Sequence, residues 1–293
     1  MTASINDPAA ATASLWPADY SQAWTLAAPV ERCGVGLHSG GLARVRLEPS
    51  EEPGFRVGWL QAPDRPLQRL HPSQVCDTQL CTALALEHGR LATVEHLLAA
   101  LAGVGITAAT LLVEGHEIPL LDGSAQPWVE AIAEVGLQAL DDRAPAATVL
   151  APITLQQGAS FATALPSERL RLGAAIEFPQ AAIGRQLFSL ELTPEAFVRE
   201  IAPARTFGFR EQVEQLRAAG LIQGGALDNA LVCDGDGWLN PPLRYPDEPV
   251  RHKLLDLLGD LALAGLPQAQ VFAFRGSHGL HTALAAALAS PLP

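Results

Sequence analysis

Apolar positions repeat with helical spacing through the stretch Asp247 to Leu261, where Val250, Leu254, Leu257, Leu258 and Leu261 follow a 3.6-residue period. Asp247 is placed to cap that helix and Pro249 is tolerated in its first turn. On the same helix His252, Asp256 and Asp260 recur every fourth residue and so lie one above another. A second stretch of the same kind, Thr93-Val94-Glu95-His96-Leu97-Leu98-Ala99-Ala100-Leu101, lies 156 positions upstream, about half the chain. Strand-like patterning marks other segments: from Trp24 through Leu26 to Val30, and Ala43-Arg44-Val45-Arg46-Leu47 beyond the glycine-rich turn Gly34 to Gly40. Further strands are expected at Gly54 to Leu60, Asp77 to Leu84 and Thr107 to Val113. Pro127 to Gly136 reads as a helix with Pro in its first turn and Gly at its end.

Asp141 to Pro152, rich in Asp, Arg, Pro and Ala, reads as a linker. Beyond it the order of elements repeats: strands at Ala159 to Ala164, Arg169 to Ile176 and Gln186 to Leu192, a helix from Thr193 to Glu200, another from near Glu211, the Val-x-His helix, and a strand at Gln270 to Phe274. The pattern predicts an α+β protein made of two similar domains, a duplicated unit. Residues 1–22 form a loosely ordered tail, 23–143 the first copy and 144–293 the second. The two Val-x-His helices are then equivalent and meet across a pseudo-two-fold interface, which sets the active site between the domains.

Composition narrows the function. With 293 residues, 48% of them apolar, the chain has ample core. A formal charge of −12 and scattered arginines tell against a nucleic-acid partner. Cys33, Cys76, Cys81 and Cys233 form no CxxC pair, which suits a reducing compartment. The seventeen uncharged residues from Leu97 to Val113 are divided by Gly103 and Gly105, so a helix and a buried strand are expected there and no spanning helix. Residues 1–22 lack the basic and apolar regions of a signal peptide.

An isolated His/Asp pair four apart is most often a surface hydrogen bond. Here Lys253, the sole lysine among 19 basic residues, stands beside His252, and the second Val-x-His helix offers another imidazole. If the helices face one another, His96, His252 and Asp256 can share a metal ion and leave a fourth position open, as at a catalytic zinc; the same set accepts iron(II) or cobalt(II). Glu95, next to His96, is placed to take a proton from water, a role compatible with complementing the helix dipole. His278, in the glycine-flanked loop Arg275 to Gly279, is the candidate acid, with Asp260 to hold it and keep it protonated. Thr206 offers a hydroxyl to a developing oxyanion, and Phe207 walls the pocket. His38, in the first glycine-rich turn, reads as a turn residue or a substrate contact. The G-x-G-x-x-x-G spacing there is not a dinucleotide fingerprint, and no H-E-x-x-H helix occurs to suggest a peptidase.

Six motifs in order carry a resemblance: Gly34-Val35-Gly36-Leu37-His38-Ser39-Gly40, Thr93-Val94-Glu95-His96-Leu97, Glu117-Ile118-Pro119-Leu120-Leu121-Asp122-Gly123-Ser124-Ala125, Ala204-Arg205-Thr206-Phe207-Gly208-Phe209, Leu227-Asp228-Asn229-Ala230 and His252-Lys253-Leu254-Leu255-Asp256. From Trp24 to its end the chain resembles the UDP-3-O-acyl-N-acetylglucosamine deacetylases of lipid A biosynthesis. The resemblance implies a zinc amidohydrolase of two α+β domains, with helices sandwiched between two sheets and one zinc per chain. It implies deacetylation of UDP-3-O-[(3R)-3-hydroxyacyl]-N-acetylglucosamine to the free amine and acetate in the bacterial cytoplasm. Carried over by position, His96, His252 and Asp256 bind zinc, Glu95 is the base, His278 the acid oriented by Asp260, and Thr206 the oxyanion donor. Lys253 is similar to a lysine near the substrate diphosphate, Glu177-Phe178 to an acidic-aromatic pair near the uridine, and His38 to a histidine on the nucleotide side. The expected partner is the small-molecule substrate alone, bound by a monomeric chain without nucleic acid. Departures are Gly276-Ser277 before His278, where the family usually reads Ser-Gly, and Thr107-Ala108, where it commonly has Asp-Asn. The alternatives are a paralogue with the same zinc chemistry on another acylated amino-sugar nucleotide, or a non-catalytic binder of zinc or nucleotide-sugar. The presence of both Glu95 and His278 tells against the binder.

Overall fold

A computed structural model of the chain describes residues 15–144 and 147–289. Residues 1–14 of the expected tail lie outside the described residues, while its last part is held in place. The Tyr20 hydroxyl donates to the Gly103 carbonyl at 2.8 Å, and the first strand begins at Gln22.

In chain order the first half contains β1 (Gln22–Leu26), β2 (Val30–Val35), β3 (Leu42–Pro49), β4 (Gly54–Trp59), β5 (Gln68–Arg69), β6 (Val75–Asp77), β7 (Ala83–Leu86), β8 (Gly89–Leu91), α1 (Glu95–Gly103), β9 (Ala108–Glu114), α2 (Gln126–Val135) and β10 (Leu137–Arg143). The second half contains β11 (Ala147–Thr148), β12 (Ile153–Gln157), β13 (Ser160–Pro166), β14 (Arg171–Glu177), β15 (Arg185–Glu191), α3 (Pro194–Glu200), β16 (Phe207–Phe209), α4 (Arg210–Ala218), β17 (Leu231–Asp234), β18 (Gly237–Trp238), α5 (Glu248–Ala262), β19 (Pro267–Phe274) and α6 (His278–Ala289).

The principal sheets run β2-β3-β9-β4-β5 and β12-β13-β19-β14-β15, with β11 pairing β19 as well. Both obey one plan. Each contains a hairpin, β2-β3 or β12-β13, and a later strand, β9 or β19, inserts antiparallel to the hairpin's second strand and parallel to the strand that follows the hairpin. The α+β duplication expected from the order of elements is therefore present as matched strand order. Alternation decides which face is buried: along β3, Ala43, Val45 and Leu47 point inward, while Leu42 and Arg46 flank them with more exposed side chains.

Between the sheets lie α1 and α5. All nine residues of α1 are buried, and α5 is buried except at Arg251 and Lys253. A helix that is apolar on every side needs cover on every side, and α1 has only two polar side chains, Glu95 and His96. A single apolar cluster joins the halves, from Leu26 and Val45 through Leu98 to Leu258 and Leu284.

Five local expectations change. The stretch from Trp24 to Val30 is not one strand: β1 ends at Leu26 and β2 begins at Val30. Asp77 to Leu84 is not one strand: the Asp77 carboxylate accepts the Gln79 amide at 3.0 Å, Leu80 adopts φ +63°, and the chain turns between β6 and β7. The expected linker begins inside β10, which pairs antiparallel with β1. The weakly patterned β12 was not expected at all, because its side chains are exposed or half-buried throughout. Asp247 does not cap α5; its carboxylate accepts from Arg251 Nε one turn on, at 2.7 Å.

Gly259 controls how closely the two central helices approach. A Cβ there would lie 2.0 Å from the Glu95 carbonyl oxygen and 2.9 Å from Glu95 Cα. Backbone of α1 thus occupies the space a side chain would need. Gly259→Ala is expected to push the helices apart and lower stability by about 1–3 kcal/mol, the usual penalty for overpacking. Urea denaturation with the slope held constant measures this, and an unchanged midpoint would contradict the contact.

Candidate active site

Packing of α1 on α5 brings His96, His252 and Asp256 together, all buried. One potential ligand atom from each lies within 4.8 Å of the others. Asp256 Oδ1 is 3.3 Å from His252 Nε2 and 3.7 Å from His96 Nε2, and the two rings meet edge to face at 5.0 Å. His252 Nδ1 sits 3.1 Å from the Ala204 carbonyl, which can only accept, so the proton is on Nδ1 and the Nε2 lone pair faces Asp256. Burial pushes the His252 pKa down to about 3 despite the carboxylate nearby. Burial opposes the charge on Asp256, yet the Lys253 ammonium, 2.8 Å from Oδ2, and the charged His278 hold it well below the usual carboxylate range.

The donor set fits a divalent cation. Asp256 Oδ1 is buried, has no hydrogen-bond donor among the described residues and faces an imidazole lone pair. Two acceptors directed at each other across 3.3 Å make sense around a positive centre, and two neutral imidazoles with one carboxylate suit zinc.

A turn along α5, Asp260 is in a different situation. Its Oδ2 is 2.9 Å from His278 Nδ1 and 3.2 Å from His281 Nδ1, and its Oδ1 accepts from the Thr82 hydroxyl. This second group of His and Asp is thus accounted for by hydrogen bonds, without a cation. His278 is not in a flexible loop as its glycine neighbours suggest; it is the first residue of α6 and its ring is buried. Burial opposes its charge, but Asp260 outweighs burial and raises the pKa to about 9, with Asp256 and Glu95 adding to the effect. His278 is therefore an imidazolium at neutral pH.

Glu95 is buried at the start of α1, where Oε2 accepts the Thr82 amide at 3.0 Å. Burial raises its pKa above the ordinary glutamate value, in spite of His278 and His96 nearby. Thr82 thus touches both the candidate base and the carboxylate behind the candidate acid. Neither Thr82 nor His281 stood out in the sequence: nothing about Cys81-Thr82-Ala83 suggests chemistry, and the pairing of His278 with His281 shows only once α6 is known to start at His278.

The strap Ala204 to Thr206 crosses from α5 to the first half. Arg205 donates from its backbone and from Nε to the buried Glu248 at 3.0 and 2.8 Å, and the Thr206 amide donates to the Gly123 carbonyl at 2.7 Å. Among the described residues the Thr206 hydroxyl has no protein partner. Phe207 stands 6.3 Å from the His252 ring and packs edge to face on Phe178 at 5.6 Å. A cavity of about 600 Å³ opens beside them, lined by Ile176, Glu177, Phe178, Pro179, Lys253, Arg275 and Gly276. Glu177 there pairs with Arg275 and, at 2.7 Å, with Arg185. His38 does not line this cavity. Its turn is clamped by the buried Glu117, which accepts the His38 and Ser39 amides at 2.8 and 2.9 Å, while His38 Nδ1 faces the Ile222 amide at 3.5 Å. Glu117 also accepts the Thr93 hydroxyl at 2.9 Å, holding a residue whose φ of +57° is costly for a β-branched side chain, just ahead of Glu95.

A family model described as LpxC, UDP-3-O-acyl N-acetylglycosamine deacetylase, matches residues 23–290. The chain is 50% identical over 267 residues to the UDP-3-O-acyl-N-acetylglucosamine deacetylase of Thermosynechococcus vestitus, covering 90% of this chain and 93% of that one. It is 48% identical over 268 residues to the protein of the same name from Trichormus variabilis, covering 89% and 96%. A protein of Arabidopsis thaliana named "Probable UDP-3-O-acyl-N-acetylglucosamine deacetylase 1, mitochondrial" is 40% identical over 299 residues, covering 94% and 90%.

The raised pKa of His278 makes a signed prediction for the metal-free chain. A histidine at about 9 when folded and about 6.5 when unfolded contributes stability that is fully present below about pH 6.5 and is lost as pH rises through about 9. Asp260→Asn removes the main partner, so the His278 titration followed by NMR should move down in pH and the alkaline loss of stability should shrink. A His278 titration unmoved by Asp260→Asn would contradict the pairing.

Proposed function

The chain belongs to the UDP-3-O-acyl N-acetylglycosamine deacetylase family, and on that footing we propose that it hydrolyses the N-acetyl group of UDP-3-O-[(3R)-3-hydroxyacyl]-N-acetylglucosamine to the free amine and acetate, the committed step of lipid A biosynthesis. The observation that carries the reading is the meeting of a lone-pair set, His96, His252 and Asp256, with a buried carboxylate and a buried imidazolium.

His96, His252 and Asp256 would hold one zinc ion, which when bound polarises a carbonyl and lowers the pKa of a water toward 7. Glu95, desolvated and fixed by the Thr82 amide, accepts the proton of the attacking water. His278, protonated at neutral pH, delivers a proton from Nε2 to the departing amine nitrogen while Asp260 holds Nδ1–H. The Thr206 hydroxyl donates to the oxygen on which negative charge develops. Lys253 and Arg275 offer cationic groups to a diphosphate in the cavity beside the site, where Glu177 and Phe178 would face the uridine. His38 would lie on the nucleotide side. The same reading puts the boundary between two similar domains at residues 143 and 144, with the site between them. It has a monomeric chain acting in the bacterial cytoplasm on this small molecule. Among the described residues no helix is long and apolar enough to cross a membrane.

Acetate release from this substrate by purified protein of known metal content, with and without a chelator, tests the reading. Chelator-sensitive release is expected; zinc bound without release would remove the substrate and favour the silent binder. Glu95→Gln should keep zinc while turnover falls roughly 10²- to 10⁴-fold, the span of a lost general base. Zinc content by elemental analysis alongside the rate is the check, and a Glu95→Gln enzyme with full activity would contradict the assignment. His252→Ala, by contrast, should lose both metal and activity.

A further inference from the structure

Two histidines share one carboxylate oxygen in this chain, and the proposed mechanism uses only one of them. We propose that His281 is a positioning residue for the acid: its Nδ1–H on Asp260 Oδ2 fixes the carboxylate that in turn holds His278.

Since α6 starts at His278, His281 lies three residues on, over the same face, and both rings descend on Asp260. The Ser277 carbonyl accepts the His281 amide at 2.9 Å, tying the backbone of His281 to the residue preceding the acid. Asp260 receives three donors: the Thr82 hydroxyl on Oδ1, and both imidazoles on Oδ2. With His278 as the sole donor on Oδ2, the carboxylate could swing about its Cβ–Cγ bond and carry the His278 ring with it. A second donor from the same helix opposes that swing.

The other nitrogen of His281 shows that the ring is not there simply to fill space. Nε2 is buried and has no hydrogen-bond partner among the described residues, an arrangement that costs stability and that an apolar side chain would avoid. Burial lowers the His281 pKa, consistent with a neutral ring whose single proton is on Nδ1, facing Asp260. Room for the ring is made by Gly276, where a Cβ would lie 2.3 Å from Nε2. A glycine has thus been placed to admit an imidazole that leaves one nitrogen unsatisfied.

The activity arm of the test rests on the deacetylase reading; the spectroscopic arm does not. In the metal-loaded full chain, His281→Leu should lower kcat on the order of tenfold through misplacement of the acid, with KM within about twofold. His281→Asn sets an amide N–H near the former Nδ1 and should restore kcat to within about threefold of the parent. Without substrate, Gly276→Ala should move the His278 Nδ1–H resonance in the parent and leave it in place in the His281→Asn background, where no Nε2 is crowded. This cycle decides the matter even if His281→Leu fails to fold. Equal impairment of His281→Asn and His281→Leu, or equal movement of that resonance by Gly276→Ala in both backgrounds, would overturn the proposal. If the parent releases no acetate, the deacetylase reading fails, and ¹H–¹⁵N spectra of ring-labelled histidines still decide the positioning. The His278 Nδ1–H resonance should move in His281→Leu and stay in His281→Asn; no movement in His281→Leu would overturn it.

Discussion

The close approach of α1 to α5 is the constraint on which the rest of the structure depends. Gly259 admits the Glu95 backbone into space that any side chain would fill, and that approach places His96 from one half against His252 and Asp256 from the other. Neither half alone has the three groups. The sheets that enclose the helices then remove water, which strengthens every electrostatic interaction between them. The candidate metal ligands come together through a single helix contact between two copies of one α+β unit.

Asp256 and Asp260 show how environment divides the work of identical side chains. They lie one turn apart on the same buried face of α5. Around Asp256 the groups are an imidazole lone pair and the Lys253 ammonium, an arrangement that asks for a cation. Around Asp260 they are N–H and O–H donors, an arrangement that is complete in itself and keeps His278 charged. Thr82 joins the two poles across the interface, its amide on Glu95 and its hydroxyl on Asp260. Small displacements of either half would therefore disturb Glu95 and Asp260 together.

Much of this was legible in residue spacing. The periodicity from Val250 to Leu261 and the upstream Val-x-His stretch appear as α5 and α1, and the repeated order of elements appears as matched sheets, because burial of one face dictates both patterns. Other features depend on tertiary contacts that spacing does not encode. Gly276 and Gly279 suggested a loop around His278, but Gly279 is the second residue of a helix and Gly276 accommodates the His281 ring. Thr82 matters only through partners 13 and 178 residues away. Asp77 to Leu84 alternated like a strand, yet a side-chain-capped turn prevails there. At Gly276 a Cβ would lie 2.3 Å from His281 Nε2, a contact between residues whose meeting the sequence alone does not reveal.

The account's central claim is that one cation joins the two halves through His96, His252 and Asp256. Anomalous diffraction at the zinc edge from crystals of the holoprotein tests it most directly. The account predicts one strong peak per chain bonded to His96 Nε2, His252 Nε2 and Asp256 Oδ1, with distances near 2.0–2.2 Å. A peak centred on Asp260, His278 and His281 instead, or a metal-loaded and active enzyme with no peak between α1 and α5, would contradict it.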